Sequence, residues 1–189
     1  MDSEKYQGKY RRGSFRAQWH DYNGGEYFIT ICTKDRKHYF GEITDGEMHL
    51  SEVGKYTDEC LQKISEHNPY AQVPIYAIMP DHIHLIVIVS ADIGIVPNNS
   101  GIVPWRNATA TEGKDKKMQE IANKQGRLST AIGGFKQAVT RFARQNDIPF
   151  AWQSLFHDHI IRDQNEMNRI AEYIENNVAK WESDKQKHL

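Results

Sequence analysis

The sequence predicts an α+β domain with an antiparallel sheet and helices that cover one face of it. Segments rich in β-branched and aromatic residues recur between turn residues, and two of them adjoin around position 80. Other segments carry apolar residues at helical spacing. The chain has 189 residues and is 39% hydrophobic, which is typical of one domain, so residues 1–189 are interpreted as a single domain.

The first half of the chain contains strand, hairpin and helix signals in succession. The expected elements are a strand at 25–33, a hairpin at 39–50 and a helix at 51–67. Asp45-Gly46 supplies the two-residue turn of the hairpin, because both residues tolerate positive φ. Asn68-Pro69 ends the helix, since proline disfavours helical geometry at the residue before it.

The rest of the chain continues with two strands, a helix, a strand-like segment and a final helix. The expected elements are strands at 73–79 and 82–89, a helix at 127–145, a strand-like segment at 150–162 and a final helix after Asp163. Pro80-Asp81 separates the two strands, which are apolar enough to be central in a sheet. Residues 90–126 are rich in Gly, Pro, Asn, Ser and Lys and are interpreted as a mobile insertion.

The charge of the chain limits how it can bind nucleic acid. The formal net charge is -1 and the isoelectric point is about 6.8, so the protein does not coat nucleic acid through bulk electrostatics. Any DNA contact must come from local groups, although each basic cluster taken alone is typical of a solvated surface. The candidates are Arg11, Arg12 and Arg16 in a basic N-terminal arm, residues 1–20, together with Lys124 and Arg127.

Cysteine content and hydropathy indicate the compartment. The two cysteines, Cys32 and Cys60, form neither a disulfide framework nor a zinc-binding pattern, which favours a reducing environment. The first residues are polar, and the longest apolar run, 85–89, is far too short to cross a bilayer. These features predict a cytoplasmic protein that makes no use of a membrane.

Two histidines, His82 and His84, lie two residues apart on the second of the apolar strands. Side chains alternate along a strand, so both imidazoles face the same way, with about 7 Å between their Cα atoms. This geometry suits chelation of a metal ion. The tripeptide alone is explained equally well by two polar residues on a half-exposed strand.

A metal ion that performs chemistry usually has three protein ligands and one open position, so a further ligand must come from elsewhere. The final helix carries Tyr173 and Asn177 four residues apart, which places them on the same helical face. That face borders the apolar stripe of the helix, so both side chains can reach the sheet. The alternative for Tyr173 is a tyrosine at the edge of the core with its hydroxyl in water.

Taken together, these motifs resemble those of the REP-associated tyrosine transposases, a branch of the single-tyrosine HUH nucleases. The resemblance covers most of the chain outside the insertion, and the joint order of the motifs is more specific than any one of them. The matching segments are 11–16, 27–33, 40–43, 79–84, 152–153, 158–162 and 173–177. In one departure, Asn177 is followed by Val178 where the family often has proline, so the helix can run on. In another, the insertion matches nothing in the family.

The resemblance implies a ferredoxin-like antiparallel sheet with the nucleophile on a C-terminal helix. It implies that His82 and His84 hold a divalent metal that acts as a Lewis acid on a DNA phosphate. Tyr173 then attacks the phosphate and leaves a 5′-phosphotyrosine and a free 3′-hydroxyl. Because one ester replaces another, the step is reversible and needs no ATP.

The resemblance also implies a third metal ligand and a nucleic-acid partner. Asn177 is the implied ligand, because the family carries an amide side chain four residues after the tyrosine. An amide oxygen with two imidazoles suits Mg²⁺ or Mn²⁺ better than a closed zinc site. The implied partner is single-stranded or hairpin DNA, and a homodimer is left open.

Two other functions fit the same residues. A metal-dependent small-molecule hydrolase can use both His-x-His pairs, His82/His84 and His157/His159, and would act without Tyr173. A non-catalytic DNA-hairpin binder can keep the fold and bind DNA without forming a covalent adduct. His159 lies in one of the family-like segments, where packing on a strand is its simpler role.

Overall fold

The computed structural model describes residues 20–91 and 112–186, with side chains in 20–91 and 126–181. Within these ranges the strands are β1 (Gly25–Cys32), β2 (Gly41–Thr44), β3 (Glu47–Leu50), β4 (Ala71–Met79), β5 (His82–Val89) and β6 (His157–Ile160). The helices are α1 (Glu52–Gln62), α2 (Ile64–His67), α3 (Glu112–Gln145), α4 (Gln164–Glu175) and α5 (Asn177–Gln186). A short 3-10 turn, Lys34–Arg36, follows β1.

The main sheet has four strands in the order β4-β5-β1-β6, and every neighbouring pair is antiparallel. Along the chain, β1, α1, β4, β5, α3 and β6 follow one another as βαββαβ, which is the ferredoxin-like arrangement. The hairpin of β2 and β3 is a separate two-stranded sheet inserted between β1 and α1. The predicted α+β class with a ferredoxin-like antiparallel sheet is therefore confirmed, and β5 and β1 are its central strands.

One face of the sheet carries the main hydrophobic core. Tyr27, Ile29 and Ile31 of β1 alternate with residues that face the other way, and all three are fully buried. Helices α1 and α3 cover this face. Their buried contributions are Val53, Cys60 and Leu61 from α1 and Leu128, Ala131, Ile132, Phe135, Ala138, Val139 and Ala143 from α3. The expectation that helices cover one face is met by these two helices.

The C-terminal helix α4 packs on the opposite face of the sheet. Ile86 of β5 and Ile174 of α4 belong with Ile161 to a second buried cluster. Sheet residues on this side include apolar Phe28 and Ile88, which would be left in water without a covering helix. We call the sheet face under α4 the site face, because it carries both His82 and His84.

The remaining helices and strands are of the types predicted from the sequence, but their lengths differ from the predicted ones. Asp45 and Gly46 have φ of 54° and 78°, as the predicted hairpin turn requires. The helix predicted at 51–67 is divided into α1 and α2 at Lys63. The strand-like segment at 150–162 contributes only β6 to the sheet.

Part of the segment predicted as a mobile insertion, 90–126, has a helical backbone. The backbone of α3 is already helical from Glu112, and Gly126, with φ of 73°, interrupts it. Residues 112–125 are therefore helical rather than irregular, and residues 92–111 lie outside the described ranges. In the part of the chain that the structure describes, no helix is both long enough and apolar enough to cross a membrane.

Candidate active site

The two histidines meet on the site face of β5. His82 and His84 are 6% and 7% exposed, while Ile83 between them points into the core on the other face. The Nε2 atoms of the two rings lie 3.0 Å apart. Two nitrogen lone pairs repel at this distance unless they share a proton or a cation, so the pair forms a ready two-nitrogen donor set.

The other nitrogen of each ring is held by a neighbouring side chain. His82 Nδ1 lies 2.6 Å from Asp81 Oδ1, and His84 Nδ1 lies 2.9 Å from Thr30 Oγ1. An ionised carboxylate only accepts, so Nδ1 of His82 carries a proton and Nε2 is the ring nitrogen that can bind a metal. The hydroxyl of Thr30 can accept from His84 Nδ1, which frees the second Nε2. Two imidazoles held in this way fit the donor set of a divalent metal.

Asp81 is a site residue that the sequence analysis missed, because Pro80-Asp81 predicts only a break between strands. Its Oδ2 lies 2.8 Å from Arg36 Nε, and its backbone carbonyl accepts from both the amide and the hydroxyl of Thr33. Burial by itself raises the pKa of Asp81, but the hydrogen bond and charge of His82 and the charge of Arg36 outweigh it and lower the pKa below its ordinary value. The carboxylate therefore stays ionised beside His82. An acidic residue directly before the first histidine was the available signal.

The environment of His84 keeps its imidazole neutral. Burial, followed by the charges of His82 and Arg36, lowers the pKa of His84 from 6.5 to about 3. A neutral imidazole is the form that binds a metal, so His84 does not have to lose a proton before binding one near neutral pH.

The same shift predicts that the metal-free protein loses stability in mild acid. Between the folded pKa of His84, about 3, and its ordinary value of 6.5, only the unfolded chain takes up the proton. The free energy of unfolding therefore rises with pH across this window, by at most about 1.4 kcal/mol per pH unit. In urea denaturation between about pH 5 and 7, His84→Gln should lose much of this slope, whereas His49→Gln on the exposed hairpin should keep it. Equal slopes for wild type and His84→Gln would contradict the prediction.

Tyr173 reaches the histidine pair from α4. Its hydroxyl lies 3.3 Å from His84 Nε2, and its ring meets that of His84 edge-on with centroids 5.3 Å apart. Phe28 of β1 stacks on His84 with centroids 5.3 Å apart and meets the ring of Tyr173 edge-on with centroids 6.1 Å apart. The next residue, Ile174, is 1% exposed and anchors the helix on the sheet, while Tyr173 itself remains 46% exposed. The structure thus brings together the three residues His82, His84 and Tyr173.

Asn177 is the first residue of α5, the helix whose Trp181 packs on His82. The C-terminal helix is interrupted at Asn176, so Asn177 begins α5 rather than continuing α4. Among the described residues, its side chain makes no hydrogen bond to either histidine, and no three His, Cys, Asp or Glu side chains form a metal-binding group. Trp181, four residues later on α5, packs against the ring of His82 with centroids 5.8 Å apart. Because i and i+4 share a helical face, Asn177 lies on the side of α5 that faces the site.

Among the basic residues expected to contact DNA, Arg127 has a described side chain, and that side chain lies away from the histidines. Arg127 Nη1 donates to the backbone carbonyls of Ser90 at 2.6 Å and Ala91 at 3.0 Å, where the chain leaves β5. Ser90 is six residues from His84, about 20 Å along the strand. The structure describes the backbone of Lys124 in α3 but not its side chain. Arg11, Arg12 and Arg16 lie outside the described residues.

The second His-x-His pair lies on the site face but apart from the first pair. His157 is opposite Thr30 and His159 is opposite Phe28, so β1 stands between the two pairs. His159 Nε2 lies 2.8 Å from Glu166 Oε1, and the other oxygen of Glu166 accepts from the backbone amide of Arg162. This contact ties the start of α4 to the end of β6. It gives His159 a structural role in holding the helix that carries Tyr173.

Comparison with known proteins identifies a relative over nearly the whole chain. The chain is 32% identical over 186 residues to an uncharacterized protein of Haemophilus influenzae, and the match covers 97% of each. No protein-family model matches. Among solved structures, a REP-associated tyrosine transposase bound to a REP hairpin overlaps with 87% of this chain and 73% of its own, at 14% identity and a TM-score of 0.49. A protein of Deinococcus radiodurans described as a candidate transposase overlaps with 85% of this chain and 95% of its own, at 14% identity and a TM-score of 0.43.

Proposed function

We propose that this chain, which belongs to the same family as the uncharacterized Haemophilus influenzae protein, is a metal-dependent single-strand DNA endonuclease and transesterase. In this proposal His82 and His84 hold Mg²⁺ or Mn²⁺, and Tyr173 is the nucleophile. The substrate is single-stranded or hairpin DNA.

One nitrogen contacts both the candidate nucleophile and the other candidate metal ligand, and this observation carries the proposal. His84 Nε2 lies 3.0 Å from His82 Nε2 and 3.3 Å from the Tyr173 hydroxyl. A tyrosine placed only to pack would gain most by burying its ring, but Tyr173 leaves 46% of its surface exposed. Its hydroxyl is therefore available to a large substrate on the surface of the protein.

The chemistry follows from the properties of these side chains. When bound, Mg²⁺ or Mn²⁺ supplies Lewis-acid stabilisation of charge on the phosphate oxygens. Tyr173 Oη forms a bond to phosphorus and loses its proton as the bond to the 3′ oxygen breaks. The departing oxygen takes a proton and becomes a free 3′-hydroxyl, while the 5′-phosphate stays on Tyr173. Asp81 and Thr30 keep the Nε2 atoms of the histidines directed at the same point.

Asn177 is the third protein ligand in this proposal. It is the half-buried first residue of α5, four residues after Tyr173. The packing of Trp181 on His82 supports this, because it shows which side of α5 faces the histidines. Two imidazoles and one amide oxygen leave positions for phosphate oxygens and water.

An extended DNA strand needs cations along its path, a role we assign to the basic arm with Arg11, Arg12 and Arg16 and to Lys124.

The test is to trap the covalent intermediate. The full chain is incubated with labelled hairpin DNA that carries a single-stranded flank, with Mn²⁺ or with EDTA, and the products are separated under denaturing conditions. We expect a protein band shifted by the mass of the 5′-linked fragment, with Mn²⁺ only, and an equal amount of a fragment ending in a 3′-hydroxyl. Cleavage without the shifted band would contradict a tyrosine nucleophile, and DNA binding without cleavage would identify a non-catalytic binder.

A further inference from the structure

We infer that Arg36, acting through Asp81, is a positioning residue that fixes the metal-binding nitrogen of His82. The inference deepens the proposed function and rests on it for the identity of the metal site. Arg36 lies outside the segments that carry the family resemblance, and it is 46 residues before His82 in the chain. Its role therefore comes from the contacts that the fold creates.

A continuous chain of contacts joins Arg36 to His82. Asp81 uses separate oxygens for its two partners, Oδ2 at 2.8 Å from Arg36 Nε and Oδ1 at 2.6 Å from His82 Nδ1. The Asp81 carboxylate is thus a bridge of defined orientation. Because the ring can turn about its bond to the strand, a carboxylate held on the far side sets the direction of Nε2.

The Arg36 guanidinium stabilises the buried Asp81 carboxylate by neutralising its charge. The side chain of Asp81 is only 6% exposed, and a buried carboxylate without a cation is costly. Arg36 is itself 51% exposed, so it neutralises the buried charge while most of its own solvation is retained. A second contact, from Nη1 to Cys32 Sγ at 3.0 Å, fixes the plane of the guanidinium. The pair therefore differs from exposed ion pairs, which hold no fixed geometry.

The backbone under Arg36 adopts an uncommon conformation that places it there. Asp35 and Arg36 have φ of 56° and 54°, in the left-handed region that non-glycine residues seldom adopt. Thr33 holds the base of this turn, because its hydroxyl bonds to the carbonyls of both Lys37 and Asp81. A turn that only connected two elements could use glycine at lower cost. The strain is consistent with a requirement for the arginine side chain at this position.

Removal of the Arg36 guanidinium should therefore change the position of the proton on the His82 ring while the protein stays folded. Without Arg36, the Asp81 carboxylate loses one of its two anchors and can turn away from His82, and it then no longer holds the proton of His82 on Nδ1. The expected consequence is weaker binding of Mn²⁺, since the metal must then displace that proton. Loss of an outer partner of a metal ligand typically weakens affinity by about 10- to 100-fold.

The experiment compares Arg36→Ala, Arg36→Lys and Lys34→Ala in the full chain. Lys34 is an exposed cation on the same turn, so it controls for a general loss of positive charge. Calorimetric titration with Mn²⁺ should show about 10- to 100-fold weaker binding for Arg36→Ala, partial recovery for Arg36→Lys and no change for Lys34→Ala. Equal weakening in Lys34→Ala would assign the effect to charge alone and overturn the inference.

A second readout needs no metal and no activity. In ¹⁵N-labelled metal-free protein, the ring nitrogen shifts of His82 should report a proton on Nδ1 in the wild type and a mixture of tautomers in Arg36→Ala. If Arg36→Ala does not fold, Arg36→Gln gives the same comparison, because it keeps most of the stem and removes the charge. An unchanged tautomer in a folded variant overturns the positioning role. Failure of the wild type to bind Mn²⁺ would instead count against the proposed metal site, and the tautomer result would still decide the role of Arg36.

Discussion

Replacing Tyr173 by phenylalanine is expected to abolish strand cleavage and the covalent adduct while leaving hairpin binding nearly unchanged. The ring contacts of Tyr173 with His84 and Phe28 do not involve the hydroxyl and are kept by phenylalanine. Only the bond from the hydroxyl to His84 is lost, which costs about 1 kcal/mol or less at this partly exposed position. Loss of an essential nucleophile, by contrast, lowers a rate by roughly three orders of magnitude or more. The measurement is single-turnover cleavage of labelled hairpin DNA, with affinity measured on the same DNA.

Tyr76→Phe is the matched control for this experiment. Tyr76 also donates its hydroxyl to a side chain, Asp58 at 2.7 Å, but it does so on the core face of β4. The control removes one tyrosine hydroxyl and one hydrogen bond without approaching the histidines, so it should cleave at the wild-type rate. Strand cleavage that survives in Tyr173→Phe would remove Tyr173 from the mechanism and favour a metal-activated water, as in the hydrolase alternative.

The parts of the fold that local pattern controls were predicted from the sequence. The alternation around His82 and His84 places both rings on one face, because the period of a strand is fixed by its backbone. The turn at Asp45-Gly46 has the positive φ values that its residue types predict. The side of the sheet on which α4 packs was not predictable in this way. An apolar stripe shows that a helix buries one side, but it carries no information about which of two apolar sheet faces receives it.

The candidate site likewise contains residues that could be predicted from the sequence and residues that could not. His82, His84 and Tyr173 were selected from residue type, spacing and resemblance, and the fold brings His82 and Tyr173 each within hydrogen-bonding distance of His84. Arg36 and Asp81 were not selected, because an ion pair between residues far apart in sequence leaves no periodic signal. The break at Asn176 was missed too, since nothing in the local residue types stops a helix there.

Replacing His84 by alanine is expected to lower Mn²⁺ affinity and cleavage together. The variant removes one of the two converging nitrogens, and the remaining imidazole of His82 cannot chelate alone. The loss in affinity should be at least as large as that from an outer partner, on the order of 100-fold or more. His82→Ala should have the same effect, because it removes the other of the two converging nitrogens. Calorimetric titration with Mn²⁺ and single-turnover cleavage at saturating Mn²⁺ measure the two effects on the same preparations.

His159→Ala separates this prediction from the hydrolase that uses both His-x-His pairs. His159 lies on the site face as well, but its ring nitrogen is bonded to Glu166 at 2.8 Å and β1 separates it from the first pair. The variant should retain wild-type Mn²⁺ affinity, and any loss of cleavage should come from a less firmly held α4. Circular dichroism and thermal unfolding establish that each variant is folded. A fall in Mn²⁺ affinity in His159→Ala as large as that in His84→Ala would show that the two pairs share a metal site. In that case the single-tyrosine mechanism would give way to the hydrolase.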